Sequence, residues 1–178
     1  MKSTLITLAV FAVACSNIAY AQLIPDDAAS KVHFTIKNFG LNTGGDFTGL
    51  KGSISYNKAS IAATVFDVTV DASTVNTDNK SRDGHLRKEE YFDVAKYPEL
   101  HFKSTKVIAG LGGFNTVQGM ITIKGVSKAV SFPFKVIQQN GGYLFQGLLE
   151  LNRRDFGVGG NSAVLSDNLK ITLSVFAK

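Results

Sequence analysis

The chain has 178 residues, enough for one domain with a sizeable core. Its 19 Lys and Arg against 14 Asp and Glu leave a formal charge of +5, but the basic residues are scattered, without the concentrated stripe and interleaved aromatics that nucleic-acid binding requires. One cysteine and three histidines leave little material for thiol or metal chemistry.

The first segment reads as a leader. Lys2 precedes an apolar run from Leu5 to Ala14, and Ala19-Tyr20-Ala21 supplies a small-x-small site. The run is too short to span a bilayer, so residues 1–21 are expected to be a cleaved signal peptide, with Gln22 first in a domain of residues 22–178 and a periplasmic or secreted destination. The sole cysteine, Cys15, falls in the part removed; its lipidation is the alternative.

Beyond the leader, period-two alternation recurs along the chain. Apolar residues hold alternate positions in segments 31–37, 50–56, 66–71, 100–103, 117–123, 130–136, 143–151 and 169–175, which predicts about eight strands, each with one apolar and one polar face. Asn140-Gly141-Gly142 suits a tight hairpin, and residues 57–60 and 124–128 are short polar connections, so the order is up-and-down. Strands of this number and length are best closed into an antiparallel barrel, which removes exposed edges and has an interior able to hold side chains or one small ligand. Gly52, Gly119 and Gly147 fall on the apolar face, where they either permit sharp bends or leave room for something long and thin. Pro133, between Phe132 and Phe134, is expected to mark a strand end or bulge.

Only residues 76–98 break this rhythm. Asn79, Ser81 or Asp83 can cap a short helix within about residues 80–95, and Tyr97-Pro98 stops it. Leu86, Tyr91 and Phe92 are available to anchor the insert across one end of the barrel. Asp83 and His85 could form an orienter–base pair, but residues two apart on a helix point in different directions. His33 and His101 lie on the outward phase of their strands, and neither a GxSxG elbow nor an HExxH pair is present.

Three segments carry a family resemblance. In "TDNKSRDGHLRKEEYFDVAKYPELHFKST", residues 77–105, the positions Thr77, Arg82, Asp83, His85, Leu86, Phe92, Asp93, Tyr97, Pro98, Phe102 and Ser104 fall in register with the pattern of the YceI-like family of lipocalin-like bacterial polyisoprenoid-binding proteins. "VQGMITIKGVSKAVSFP", residues 117–133, and "LNRRDFGVG", residues 151–159, resemble the same family. The resemblance implies an all-β, eight-stranded antiparallel lipocalin-like barrel with a helix near its mouth, and a hydrophobic channel for a polyprenyl chain, an isoprenoid quinone-like lipid or another long amphiphile. It implies no cofactor beyond that bound lipid, and it agrees with export to the periplasm. Two departures stand out: "IKNFG" has Asn38 and Phe39 where the family often has a histidine before glycine, and Arg154 replaces a small residue.

The expected activity is binding, transport or storage of a long-chain lipid rather than catalysis. The inward phase makes Phe34, Ile36, Ile54, Phe66, Val68, Phe102, Ile121, Phe132, Phe145 and Leu149 the candidate channel wall. Arg82, His85, Arg153 and Asp155 are candidates for a polar mouth, arginine being suited to a phosphate. A transient membrane contact and a homodimer are compatible with this reading. The alternatives are a hydrolase or lyase using His85 and Asp83 on a hydrophobic substrate, or a filled structural barrel of the envelope.

Overall fold

The computed structural model describes residues 21–178; the leader assigned to residues 1–21, with Cys15, lies almost entirely outside the described residues. Ten strands form one curled antiparallel sheet: β1 (Ala21–Leu23), β2 (Lys31–Asn38), β3 (Leu41–Phe47), β4 (Lys51–Tyr56), β5 (Val65–Asp71), β6 (Glu99–Ile108), β7 (Asn115–Ile123), β8 (Val126–Gln139), β9 (Gly142–Asn152) and β10 (Leu165–Ala177). Their spatial order is β1-β4-β5-β6-β7-β8-β9-β10-β2-β3. From β4 to β10 each strand pairs with its successor, as the alternation and short turns predict. The expected eight strands are therefore ten. β1 is too short to show a period, and β3, Leu41-Asn42-Thr43-Gly44-Gly45-Asp46-Phe47, has no apolar alternation to detect.

Tertiary contacts make β3 a strand. It pairs with β2 through a two-residue turn at Phe39-Gly40, and its glycines lie where a side chain would collide. A Cβ on Gly45 would stand 2.7 Å from the Asn76 carbonyl oxygen and 2.8 Å from the Phe34 ring. The end strands β1 and β3 do not pair, so the sheet is curled where a closed barrel was expected. The chain after β1 also bonds to the end of β10: the amides of Ile24 and Asp26 donate to the carbonyls of Lys178 and Phe176.

The interior is apolar throughout. Ile54, Phe66, Val117, Phe132, Phe134, Phe145 and Leu149 belong to one buried cluster, and Phe47, Leu50, Val70 and Val75 form a second beside it. The three inward glycines have local causes. Gly52 has φ +113°, and its Cβ would come within 2.1 Å of the Asp67 carbonyl, so it serves a bend. Gly119 and Gly147 instead lie under aromatic rings, those of Phe102 and Phe132. The rings take the space the glycines leave and pack together at 5.5 Å.

Pro133 marks neither a strand end nor a bulge. β8 continues through it, pairing with β7 over Val126 to Phe134 and with β9 only from Phe134 onward. Proline, having no N–H to donate, sits where the strand changes neighbours.

The insert holds one short helix, within the residues expected for it. The helix α1 spans Lys80–Leu86, capped by Asn79, whose side chain accepts from the Arg82 amide; residues 87–97 are turns rather than helix. Gly84 inside α1 weakens it, and farther on Asp93 has a left-handed backbone (φ 49°).

Candidate functional site

Two adjoining cavities occupy the interior. The inner one, about 140 Å3, is lined from β2 round to β10 by side chains such as Ile54, Phe66, Val117, Phe132, Phe145 and Leu173. The outer one, about 280 Å3, lies toward the end of the sheet that carries α1. Its wall includes Ile36, Leu86, Tyr91, Phe92, Leu151 and Val158. A single water needs roughly 10–15 Å3 of such space, so each cavity is large enough for part of a ligand. Phe34, Phe47, Leu100, Ile123 and Ile171 line both and form the ring where they meet. Within that ring Phe47 packs against Phe34 at 5.7 Å and edge-on against Phe92 at 5.4 Å. At the opposite end Tyr56 packs on Tyr143 at 4.6 Å and edge-on against Phe145. Burial and the neighbouring Tyr143 raise the Tyr56 pKa, so its hydroxyl stays neutral.

Of the ten expected wall residues, nine line the inner cavity: Phe34, Ile54, Phe66, Val68, Phe102, Ile121, Phe132, Phe145 and Leu149. Ile36 lines the outer one instead. The wall residues absent from the ten expected ones are of two kinds. Leu100, Ile123 and Ile171 sit on the inward phase of recognised strands and were legible there; Phe47, in the glycine-rich β3, was not.

The polar candidates separate into different roles. Arg82 and His85 border the outer cavity. Arg82 donates from Nε to Thr77 Oγ1 (2.8 Å) and from Nη2 to the Thr77 carbonyl (2.7 Å), while Nη1 has no hydrogen bond among the described residues. His85 is half-exposed, with Nε2 3.8 Å from Glu90 Oε2 and its ring 5.0 Å from that of Tyr91. Asp155 lies on the exposed surface and lines neither cavity, so it is no part of the mouth. The following Phe156 takes the inward position of that turn.

Arg153 borders the outer cavity, but its guanidinium is spent on the chain itself. The side chain is only 4% exposed. It donates from Nε to the Ser166 carbonyl (3.0 Å), from Nη1 to the carbonyls of Val158 (2.9 Å) and Gly160 (3.0 Å), and from Nη2 to Asp167 Oδ1 (2.8 Å). Ser166 and Asp167 lie in the irregular stretch of β10, between its pairs at Leu165 and Leu169 with β2. Arg153 thus ties the loop after β9 to the start of β10.

Asp83 and His85 do not form a pair. Asp83 is buried and accepts from the Thr77 amide (2.8 Å) and hydroxyl (2.5 Å). Thr77's hydrogen bonds, helped by Arg87 and Arg82, hold the Asp83 carboxyl below the usual carboxylate range. His33 and His101 do point outward, each 2.7 Å from an aspartate, Asp46 and Asp67 respectively. Among the described residues no three His, Cys, Asp or Glu side chains gather at metal-binding distance.

A curled antiparallel sheet around an apolar interior, with the Thr77–Arg82–Asp83 lock and the Arg153 tie at one end, coincides with a known domain profile: the YceI-like domain matches residues 25–177. The chain belongs to the YceI-like family. A UPF0312 protein of Pseudomonas aeruginosa is 32% identical over 151 residues, covering 81% of this chain and 78% of the relative. One from Yersinia enterocolitica is 31% identical with the same coverage. Among solved structures, Burkholderia cenocepacia BcnA superposes with a TM-score of 0.83 at 26% identity, over 86% of this chain and 99% of BcnA. The Campylobacter jejuni YCEI protein gives 0.70 at 26% identity, over 76% and 84%. A polyisoprenoid binding domain from Saccharophagus degradans gives 0.69 at 19% identity, over 90% and 99%, a likeness of fold. In this YceI-like chain the motif residues are largely architectural. Thr77 and Asp83 lock the insert, Ser104 Oγ accepts from the Phe66 amide (2.8 Å) at the β6 irregularity, and the Asn152 side chain caps the turn that presents Arg153.

Proposed function

We propose that the protein binds one long-chain amphiphile, an isoprenoid or similar lipid, and carries or stores it outside the cytoplasm. The observation that carries this reading is the pair of adjoining cavities: apolar round the ring they share, with polar side chains, Arg82 and His85 among them, bordering the outer one. The tail lies along the inner wall and the head group stays near α1, where Arg82 Nη1 is available. Removing a methylene from water is worth about 0.8 kcal/mol, so the tail supplies most of the affinity. The polyisoprenoid named for the Saccharophagus degradans domain supports the choice of ligand class. The leader-like sequence of residues 1–21 supports export. Asp83's commitment to Thr77 supports binding over acid–base chemistry with His85.

Native mass spectrometry of the purified protein before and after organic extraction tests the reading. A long-chain lipid that leaves on extraction, and uptake of a polyprenol probe by the stripped protein, are expected. A bare protein that takes up no polyprenol would sink it.

A further inference from the structure

The end of the molecule that holds the outer cavity has two unlike sides. One is charged: α1 and the turns after it carry Lys80, Arg82, Arg87, Lys88, Glu89 and Glu90. The other is built from the β2–β3 hairpin and the loop leading into β10, and residues 38–45 and 156–166 contain no Asp, Glu, Lys or Arg. The two parts of this uncharged side are joined, the Phe39 amide donating to the Val164 carbonyl at 2.9 Å. Large apolar side chains project from it, with Phe39 75%, Leu41 73% and Val164 40% exposed.

Phe39 is costly where it stands. It occupies the first turn position of the hairpin at φ +51°, followed by Gly40 at φ +76°. Such a turn favours Asn-Gly, because a bulky side chain is strained in the left-handed region. The fold gains no burial from the ring that would offset this strain. Strain kept at an exposed position points to a function outside the folded domain.

The uncharged side is also continuous with the ligand space. Asn38 and Val164, beside Phe39 in sequence and by hydrogen bond, line the outer cavity, as do Ile36, Leu165 and Leu169 farther in. An uncharged path, apolar at Val164, Leu165, Leu169 and Ile36, therefore runs from the exposed tip to the ring shared by the two cavities. A long-chain lipid cannot cross water cheaply, so it needs such a path to begin in a bilayer.

We propose that the Phe39-Gly40-Leu41 hairpin tip, with Val164, inserts into a phospholipid bilayer and sets the open end of the cavity against it for lipid exchange. The exposed Lys37 at the base of the hairpin suits an anionic head-group layer. This inference rests on the lipid-binding reading above.

The protein has no tryptophan, so Phe39→Trp places a single fluorophore at the tip. Its emission is expected to shift to the blue on adding vesicles of phosphatidylethanolamine and phosphatidylglycerol. The double variant Phe39→Asn, Leu41→Ser should float with those vesicles at least about tenfold more weakly than the wild type, because the two apolar side chains that enter the bilayer are lost. Asparagine tolerates the left-handed turn, so circular dichroism and melting should show the variant folded. It should still take up polyprenol delivered from cyclodextrin, since neither residue lines a cavity. Unchanged tryptophan emission, or equal flotation of the double variant, overturns the proposal. So does light scattering in which the wild type is a dimer, the double variant a monomer, and neither floats: the tip would then be a contact between copies. Uptake from cyclodextrin without vesicle binding overturns this inference alone, whereas no uptake by any form overturns the lipid-binding reading beneath it.

Discussion

Replacing Arg153 by methionine separates a structural arginine from a head-group ligand. The guanidinium makes four hydrogen bonds of 2.8–3.0 Å, three to carbonyls and one to Asp167, in a side chain only 4% exposed. Bonds to a charged group are each worth roughly 1.5–3 kcal/mol, but their simple total overstates the loss. Asp167 is 44% exposed and rehydrates once released. The loop also keeps its bond from the Gly159 amide to the Glu90 carbonyl (2.9 Å), and methionine retains most of the buried stem. The net loss should be about 3–5 kcal/mol, because three carbonyls lose their donor at up to roughly 1–3 kcal/mol each and the less buried of them regain some hydration. With a urea slope near ~2 kcal/mol per molar, the unfolding midpoint should fall by roughly 1.5–2.5 M. Native polyprenol uptake by the folded fraction should change little. A midpoint within about 0.5 M of wild type, with uptake abolished, would show that Arg153 serves the ligand and not the loop.

Other substitutions probe separate links in the argument. Ile171→Phe enlarges a side chain in the ring shared by the two cavities; it should abolish uptake of long polyprenols while sparing short ones, at a cost of about 1–3 kcal/mol in denaturant unfolding. Asp83 has a lowered folded-state pKa, so the stability it contributes is present above its unfolded value, near about 3.9, and is lost as pH falls through the folded one. Asp83→Asn should remove that part of the acid dependence, so the wild type should be the more stable above roughly pH 4 and the two unfolding curves should converge as the pH falls through the lowered folded pKa. Phe39→Asn should raise stability by about 1 kcal/mol in thermal melts, since asparagine accepts the left-handed turn that phenylalanine resists; a loss of stability would mean that the ring has a packing role.

Period-two alternation is a local property, and it exposed most of the sheet and nearly all of the inner wall before any contact was known. It could not reveal β3, whose Gly44 and Gly45 bury no side chain and whose pairing is imposed by β2 and Phe34. Nor could it size the interior. Gly119 and Gly147 read equally as bends or as room, and the rings of Phe102 and Phe132, reaching over them from neighbouring strands, decided the matter. The cluster "RDGHLRKEEYFD" was visible as chemistry, yet its parts separate in space. Asp83 turns in to Thr77, Arg82 keeps one nitrogen free, and His85 stays at the rim. Arg153 was legible as a basic residue in a family motif, but its partners stand five to fourteen residues farther along the chain, in a loop and an irregular strand with no local signature. Side-chain phase follows from the backbone's own geometry and is written residue by residue. Cavity volume, hydrogen-bond commitment and exposure depend on which distant groups arrive at the same place, and only the folded sheet brings them together.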